Sequence, residues 1–247
     1  MSALLLRTIA CIAMLMDHIG YYNGNMALRA IGRVAFPIFV YLIVNGYKHT
    51  SCRWKYALRL AVFAMISQIP FSLFCTGRWN WHNGNVFFTL LIALLCVWAT
   101  DILQKGKICV WVCWIPTVAV CLLYQLGALV SDYGARGTVL AISFYFLDGK
   151  KMWKLVLMSL SSFMLVFYDQ LAELLWTFLS VGTLSLPRMD QWIWWQLYSL
   201  FSLPLIFMYN GEKGSMPGRT WSVKLLQYGF YLFYPLHMLV IWLVYVS

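Results

Sequence analysis

The sequence predicts an all-α fold, a membrane bundle of nine or ten transmembrane helices. Of the 247 residues, 62% are hydrophobic and only 11% are charged, whereas soluble domains average about a quarter charged residues. Apolar runs long enough to cross a bilayer recur along the whole chain. These runs are continuous, whereas spanning strands would alternate apolar and polar residues, so the spans are predicted to be helices.

Ten apolar segments are candidate spans: 3–22, 28–47, 57–75, 85–102, 108–127, 134–148, 153–168, 171–187, 191–209 and 222–245. The segment 171–187 is the weakest, because it is short and Asp169 and Glu173 flank its start. The count is therefore nine or ten, with a re-entrant segment as the alternative reading of 169–187. Since no repeat or long linker divides the chain, residues 1–247 are predicted to form a single membrane domain.

The excess of basic residues is better explained by membrane topology than by nucleic-acid binding. We do not expect a nucleic-acid partner. The formal net charge of +10 is concentrated in every second loop, at Lys48, Arg53, Lys55 and Arg59, at Lys105 and Lys107, and at Lys150, Lys151 and Lys154. The positive-inside rule then predicts that these loops and the N-terminus face the cytoplasm. Lys213 and Arg219 break the rule if there are ten spans, and a re-entrant 169–187 would restore it.

The seven cysteines lie mostly within apolar runs and form no CxxC or Cys/His pattern. We therefore expect neither disulfides nor a metal site. The first apolar run contains Asp17 and His18, and no small-x-small cleavage site follows it before Met26. It is interpreted as a retained helix rather than a signal peptide.

Ionisable groups at helix depth are costly to insert, so they usually face the protein interior for a reason. Arg7 and His18 are eleven residues apart in the first span, which returns them to within about 20° of one helix face and roughly 16 Å apart along it. An anion site at Arg7 and a reactive end at His18 would suit a long ligand such as acyl-coenzyme A. The plainer alternative is that Arg7 is a topology signal and His18 a satisfied interior histidine.

Asp17 and Arg33 extend this polar cluster. Asp17 could orient the His18 imidazole, or it could neutralise a cation on the second span. Arg33 is predicted about 7 Å inside that span, near the depth of His18, and it is either a catalytic group or the ion-pair partner of Asp17. Pro37 is expected to bend the second span and free a backbone carbonyl.

Other polar residues are predicted to share the outer depth of His18. Asn85 precedes the fourth span, and Asp132 and Tyr133 open the sixth. His237 lies in the last span, where it could bond either a substrate or a neighbouring helix. Loop asparagines are commonly turn formers, so the shared depth is stronger evidence than any one residue.

The same residues carry a resemblance to a known family. The segments that carry it are, in order, 16–20 (MDHIG), 32–39 (GRVAFPIF), 45–47 (NGY), 67–71 (SQIPF), 85–90 (NVFFTL), 132–134 (DYG) and 234–237 (YPLH). Together they resemble the TraX family, named for the F-pilin acetylase of conjugative plasmids, most densely over 7–147. TraX proteins are similar to the acyltransferase-3 group, in which a basic residue precedes an essential first-helix histidine by the spacing of Arg7 and His18. Gln68 departs from the acidic residue expected in relatives, which puts a carboxylate role there in doubt.

The resemblance implies an integral membrane acyltransferase of the bacterial inner membrane, using acetyl-CoA or another acyl-CoA as donor. His18 would be the general base or the acyl carrier, supported by Asp17 and Arg33. Asn85, Asp132, Tyr133 and His237 would contact the substrate or its oxyanion. The coenzyme A phosphates would be held by Arg7, Lys48, Arg53, Lys55 and Arg59.

The implied partners are membrane lipid and an acyl acceptor, which could be a pilin-like peptide, a sugar or a lipid head group. The buried Asp17, His18 and Arg33 are also compatible with a proton-coupled transporter or flippase. No internal repeat of the kind common in transporters is visible. A third reading is a membrane scaffold without chemistry.

Overall fold

The computed structural model describes residues 1–107, 109, 111–146, 167, 170–182, 195–212, 214 and 220–246. Within these residues the regular structure is helical, which confirms the all-α prediction for this part of the chain. The helices are α1 (Ala3–Asn23), α2 (Met26–Gly32), α3 (Ala35–His49), α4 (Arg53–Thr76), α5 (Val86–Lys105), α6 (Ile115–Gln125), α7 (Gly134–Phe146), α8 (Gln170–Val181), α9 (Ser202–Phe207) and α10 (Thr220–Val246). Short 3-10 turns, Val112–Trp114 and Leu197–Phe201, lead into α6 and α9.

Local sequence sets the boundaries of α1 and α2. The Ser2 hydroxyl caps the start of α1 by accepting from the Leu5 amide at 3.4 Å. Gly24 ends the helix with φ of 64°, a left-handed conformation that a glycine adopts without strain. Asn25 then caps α2, its side-chain oxygen accepting from the amides of residues 27 and 28. The chain therefore reverses tightly, and α2 packs back against α1.

Pro37 explains the break between α2 and α3. Proline at position i cannot bond the carbonyl of residue i−4 and crowds it, and residue i−4 of Pro37 is Arg33. The structure interrupts the helix at Arg33 and Val34, one turn before the proline. The expected distortion therefore lies at Arg33 itself.

Five helices are long and apolar enough to cross a membrane: Ala3–Asn23, Met26–His49 (α2 with α3), Arg53–Thr76, Val86–Lys105 and Tyr228–Tyr245 within α10. In the described part of the chain this is fewer than the nine or ten spans that hydropathy predicts. The predicted spans 108–127, 171–187 and 191–209 fall on the shorter helices Val112–Gln125, Gln170–Val181 and Leu197–Phe207, and 134–148 falls on α7. Fourteen residues of helix cover about 21 Å, short of a ~30 Å hydrocarbon core. The predicted span 153–168 lies almost wholly outside the described residues.

The helices form one bundle with a shared core. Helix α1 packs on α2, α3 and α10, α4 packs on α5 and α10, and α7 packs on α3 and α5. The Tyr22 hydroxyl donates to the Phe74 carbonyl at 2.6 Å, so the C-terminal ends of α1 and α4 lie side by side. We call this the His18 end; the opposite end, with the start of α1 and α4 and the end of α3 and α5, is the Arg7 end. Large apolar side chains such as Ile12, Ile66 and Val118 stay exposed on the outside, as expected of surfaces that face lipid.

Candidate active site

The first and last helices meet at a pair of histidines. Nδ1 of His18, on α1, lies 2.6 Å from Nε2 of His237, on α10. The ring centroids are 4.8 Å apart and the ring planes differ by 10°. Nδ1 of His237 lies 2.6 Å from the carbonyl oxygen of Phe233, one turn earlier in α10. Because the two histidines are 219 residues apart in sequence, only the packing of α1 against α10 brings them together.

Aromatic rings surround the histidine pair. Phe74 of α4 lies 4.9 Å from the His18 ring, and Tyr234 meets the same ring edge-on at 6.5 Å. Phe233 stacks against His237 with centroids 4.9 Å apart. Rings packed this closely leave an imidazole few orientations, so the surrounding aromatic side chains hold the pair in place.

Asp17 contacts arginines instead of His18. Its two carboxylate oxygens lie 3.1 and 3.4 Å from Nη2 of Arg33, and Nε of Arg29 lies 3.8 Å from Oδ1. Gly32 allows this approach, because a Cβ at that position would stand 2.1 Å from Cβ of Asp17. Of the two roles open to Asp17 from the sequence, these distances support the counter-ion, and His237 takes the place beside His18.

A polar cavity of about 180 Å³ opens at the His18 end, and we call it the outer cavity. Its lining includes the polar residues Asp17, His18, Arg29, Arg33, Asp132, Tyr133, Arg136 and Gln196. The structure thus brings His18, Arg33, Asp132 and Tyr133 to one cavity, as their predicted common depth implies. His237 lies behind His18 and is absent from the cavity wall. The predicted direct contact of His237 with substrate therefore has no support in its position.

Backbone pairing between two loops places Asp132 and Tyr133 at the outer cavity. The Gly84 amide donates to the Val130 carbonyl at 3.1 Å, and the Asp132 amide donates to the Gly84 carbonyl at 2.9 Å. The Tyr133 ring then stacks on Phe36 of α3, with centroids 3.5 Å apart and planes within 3°. One wall of the cavity is therefore fixed by contacts between the two loops and α3, which are distant in sequence.

Asp132 lines the outer cavity and its side chain is exposed, although many protein atoms lie close to its carboxyl group. This loss of water raises the pKa of the Asp132 carboxyl from 3.8 to about 6. The Asp17 carboxylate raises that pKa further, and the positive charges of Arg33 and Arg136 oppose the change. The Asp132 carboxyl is thus expected to titrate above the usual range of an aspartate.

Asn85 lies outside the cavity, contrary to its predicted role as a substrate or oxyanion contact. It is fully buried as the N-cap of α5, and its side-chain oxygen accepts from the Phe87 amide at 2.9 Å. Its side-chain nitrogen donates to the Ala64 carbonyl at 2.7 Å and to Oε1 of Gln68 at 3.0 Å. The side chain is committed to structure, in line with the usual role of asparagine near turns.

The hydrogen bonds of Gln68 explain why a glutamine stands where an acidic residue is expected. Its side-chain nitrogen donates to the carbonyls of Asn80 and Asn83, at 3.2 and 2.8 Å, while its oxygen accepts from Asn85. A carboxylate could accept but could not donate to these carbonyls. Glutamine at this position holds the loop before α5 against α4.

An apolar cavity of about 90 Å³, which we call the inner cavity, runs toward the Arg7 end. Arg7 lines it together with Tyr56 and Tyr231. The inner and outer cavities share four wall residues, Met14, Phe39, Val86 and Tyr234. The two cavities therefore adjoin between Arg7 and His18, along the helix face that their spacing predicts.

Arg59 joins Arg7 beside the inner cavity. Its guanidinium carbon lies 5.4 Å from the Tyr56 ring centroid and 5.6 Å from that of Tyr231. Its Nε atom is buried and has no hydrogen-bond partner among the described residues. Arg59 therefore adds a second positive charge close to the Arg7 side of this cavity.

The other predicted phosphate-binding residues lie elsewhere. Lys48 and Arg53 line a separate cleft at the Arg7 end, where Arg53 pairs with Asp101 at 3.1 Å. Lys55 is exposed and lines neither this cleft nor the inner cavity. The predicted set of five thus divides into Arg7 and Arg59 beside the inner cavity and three residues away from it.

Sequence reasoning misses three features of the site. Gly32 controls how closely α2 approaches Asp17; in the sequence it begins the 32–39 segment of the family resemblance, but nothing there indicates this packing role. Phe74 packs on His18, yet in the sequence it is one of 16 phenylalanines and resembles ordinary core. The link between His237 and His18 was also unpredicted, although both histidines are costly residues in apolar spans.

Comparison with known proteins identifies the family. The chain is 28% identical to the probable fimbrial assembly protein FimC, serogroup H1, of Dichelobacter nodosus, over 96% of this chain and 93% of that protein. No solved structure matches the chain significantly. The TraX family, described as TraX protein, matches residues 2–245. Because the match covers nearly every residue, including both histidines of the pair, the chain belongs to the TraX family.

Proposed function

We propose that this protein is an integral membrane acyltransferase. It moves an acyl group, acetyl by family resemblance, from acyl-coenzyme A to a hydroxyl or amine acceptor. The observation that carries the proposal is the position of His18, at the wall of the outer cavity and next to the inner cavity that leads from Arg7. Two substrates could meet there from opposite sides.

The inner cavity suits the acyl-thioester arm of the acyl-coenzyme A donor. Its aromatic and aliphatic walls suit the uncharged acyl-thioester arm better than a charged nucleotide. The nucleotide and its phosphates would stay at the Arg7 end, where Arg7 and Arg59 supply positive charge. Arg7 lines the inner cavity, and the Arg59 guanidinium lies against the Tyr56 and Tyr231 rings that line it, so both cations could attract the phosphates.

The outer cavity suits the acceptor and the developing charge. His18 acts as general base on the acceptor, or carries the acyl group itself. The Arg33 guanidinium, neutralised in part by Asp17, and the Tyr133 hydroxyl are the donors available to a thioester oxyanion in this cavity. Asp132 contributes a carboxylate near the acceptor side.

In the direct form of the reaction, His18 removes a proton from the acceptor oxygen or nitrogen as that atom attacks the thioester carbonyl. The carbon–sulfur bond breaks, and the thiolate leaves with the proton that His18 has taken up. The products are an ester or amide and free coenzyme A. In the acyl-carrier form, His18 holds the acyl group between the two half-reactions.

The proposed orientation places the Arg7 end at the cytoplasm of a bacterial inner membrane. Lys48, Arg53 and Lys105 lie at this end, which agrees with the positive-inside rule. The acceptor would then enter from the His18 end. TraX membership and the fimbrial relative favour a pilin-related acceptor, with sugars and lipid head groups as the alternatives.

The test is acyl transfer by purified protein in detergent, supplied with radiolabelled acetyl-CoA and a pilin-like peptide. We expect label in the peptide, or slow release of free coenzyme A when no acceptor is present. His18→Ala should abolish both. His82→Ala is the matched control, since His82 is an exposed histidine at the same end that lines neither cavity.

Full activity of His18→Ala, with retained folding, would refute His18 as the reactive group. Substrate flux across liposomes without consumption of acetyl-CoA would instead favour a proton-coupled transporter. Transfer to a sugar or lipid but not to the peptide would correct the acceptor and keep the reaction.

A further inference from the structure

We propose that His237 is a positioning residue that holds His18 in one tautomer, so that Nε2 of His18 is the unprotonated nitrogen presented to the outer cavity. The proposal deepens the proposed function, on which the reactive role of that nitrogen rests. The tautomer itself follows from hydrogen-bond geometry alone and can be tested without any substrate.

The assignment starts at Phe233. A backbone carbonyl has no proton to give, so at 2.6 Å it must accept from Nδ1 of His237. A neutral imidazole carries one N–H, which leaves Nε2 of His237 as an acceptor. The nitrogen facing it, Nδ1 of His18 at 2.6 Å, must then be the donor. Nε2 of His18 is left with a lone pair.

The ring geometry agrees with a real hydrogen bond between the two imidazoles. Their planes differ by only 10° and their centroids are 4.8 Å apart while the nitrogens approach to 2.6 Å. Rings in this arrangement lie nearly edge to edge in one plane, where the N–H of His18 points at the in-plane lone pair of His237. Face-to-face stacking would not align the two atoms in this way.

The cavity walls show which nitrogen a substrate can reach. His18 lines the outer cavity and His237 does not. With Nδ1 of His18 already engaged by His237, Nε2 is the remaining ring nitrogen for an acceptor. The pair therefore presents a base in the form that can take up a proton.

His237 is itself held in place. It is 7% exposed, its Nδ1 is tied to Phe233, and the Phe233 and Tyr234 rings pack on it at 4.9 and 5.8 Å. When His18 accepts a proton on Nε2, the bond from its Nδ1 to His237 strengthens because the donor is now charged. Nε2 of His18 then passes this proton to the leaving thiolate. His237 therefore neither gains nor loses a proton overall.

This role resembles that of the carboxylate in a serine protease triad, which fixes a histidine tautomer. In the described part of this chain a neutral histidine does the same work, while the neighbouring carboxylate of Asp17 is committed to Arg33. A neutral orienter avoids placing an additional buried charge at this depth.

The first experiment is nitrogen-15 NMR of histidine-labelled protein in detergent micelles. The chain has four histidines, and His49→Gln with His82→Gln removes the two exposed ones from the spectrum. We expect both His18 and His237 to be protonated on Nδ1. His18 protonated on Nε2 in the wild-type protein would overturn the proposal.

The second experiment compares two variants at position 237. His237→Gln keeps an acceptor oxygen at about the reach of Nε2, whereas His237→Phe keeps a ring without an acceptor. We expect His237→Phe to lower kcat about 10- to 100-fold, as a fraction of what a general base contributes, with KM for acetyl-CoA unchanged. We expect His237→Gln to restore most of that loss, and only the Phe variant to shift the His18 tautomer.

The results separate this proposal from the proposed function. A wild-type protein that transfers no acyl group yet shows Nδ1-protonated His18 would refute the enzyme and keep the histidine pair. Full activity of His237→Phe, with His18→Ala inactive, would refute the pair and keep the enzyme. Should the Phe variant fail to fold, the wild-type spectrum and the Gln variant still decide.

Discussion

Asp17 and Asp101 lie at opposite ends of the bundle, and an arginine contacts each carboxylate. Asp101 accepts from the hydroxyls of Tyr47 and Tyr145, at 2.8 and 2.7 Å. It also pairs with Lys105 at 2.9 Å and with Arg53 at 3.1 Å. These four partners come from α3, α4, α5 and α7, so one carboxylate ties four helices together.

The His18 end is arranged differently. Asp17 and Arg33 form a pair beside a cavity, and next to them His18 keeps one ring nitrogen outside the hydrogen bond to His237. A saturated cluster stabilises the fold, because each buried polar group has its partner. A cluster with an uncommitted group next to a cavity can do chemistry, and the predictions below test this contrast.

The largest expected effect is on activity at the His18 end. His18→Ala should lower acyl transfer about 100- to 10,000-fold, the usual contribution of a general base, while the unfolding temperature in detergent stays close to wild type. Transfer assays and thermal unfolding of the same preparation check both halves. A large loss of stability with unchanged transfer would show that His18 is a structural residue, like Asp101, and would contradict the contrast between the two ends.

At the Arg7 end the pattern should be the opposite. Asp101→Asn removes the charge that four donors share, and we expect the free energy of unfolding to fall by about 1.5–3 kcal/mol. Transfer activity should persist at temperatures where the variant is folded. Glu173→Gln, which changes an exposed carboxyl on α8, is the control and should leave stability unchanged in denaturant titrations.

Gly32→Ala tests how tightly the His18 end is built. The added Cβ would stand 2.1 Å from Cβ of Asp17, so α2 must move and the free energy of unfolding should fall by about 1–3 kcal/mol. Transfer should fall as well, because Arg33 moves with α2. Gly229→Ala in α10 meets nothing within 4 Å and should be neutral or stabilising by about 0.4–1 kcal/mol. Equal stability of the two variants would contradict the close approach.

The smallest effect concerns Asp132. Since its pKa is raised to about 6 in the folded protein, the folded state binds a proton more readily than the unfolded state between about pH 4 and 6. The Asp132 contribution to stability is therefore present below pH 4 and is lost as the pH rises through 6. Asp132→Asn should gain unfolding temperature relative to wild type as the pH increases from 4 to 7. A constant difference between the two proteins over this range would show that the carboxyl titrates normally.

Much of the site could be predicted from the free-energy cost of inserting ionisable residues into a membrane and from the helical spacing between them. Inserting Arg7, His18 and Arg33 into apolar segments is unfavourable wherever the segments pack, so their functional interest is visible in the sequence. Helical periodicity also relates Arg7 to His18 correctly, because both lie on one unbroken helix. The partner of His18 could not be predicted, because adjacency in sequence favoured Asp17 and the contact with His237 spans 219 residues.

The sequence by itself determined the helical class, the first four long apolar helices and the last one, and the TraX family. These follow from local composition and from motifs in order, which need no knowledge of packing. Only the tertiary structure decided that Asp17 pairs with Arg33, that Asn85 caps α5 and that His237 lies in hydrogen-bond contact with His18. Those assignments depend on which polar groups come into contact when helices distant in sequence pack together. Hydropathy is a local property and contains no information about such contacts.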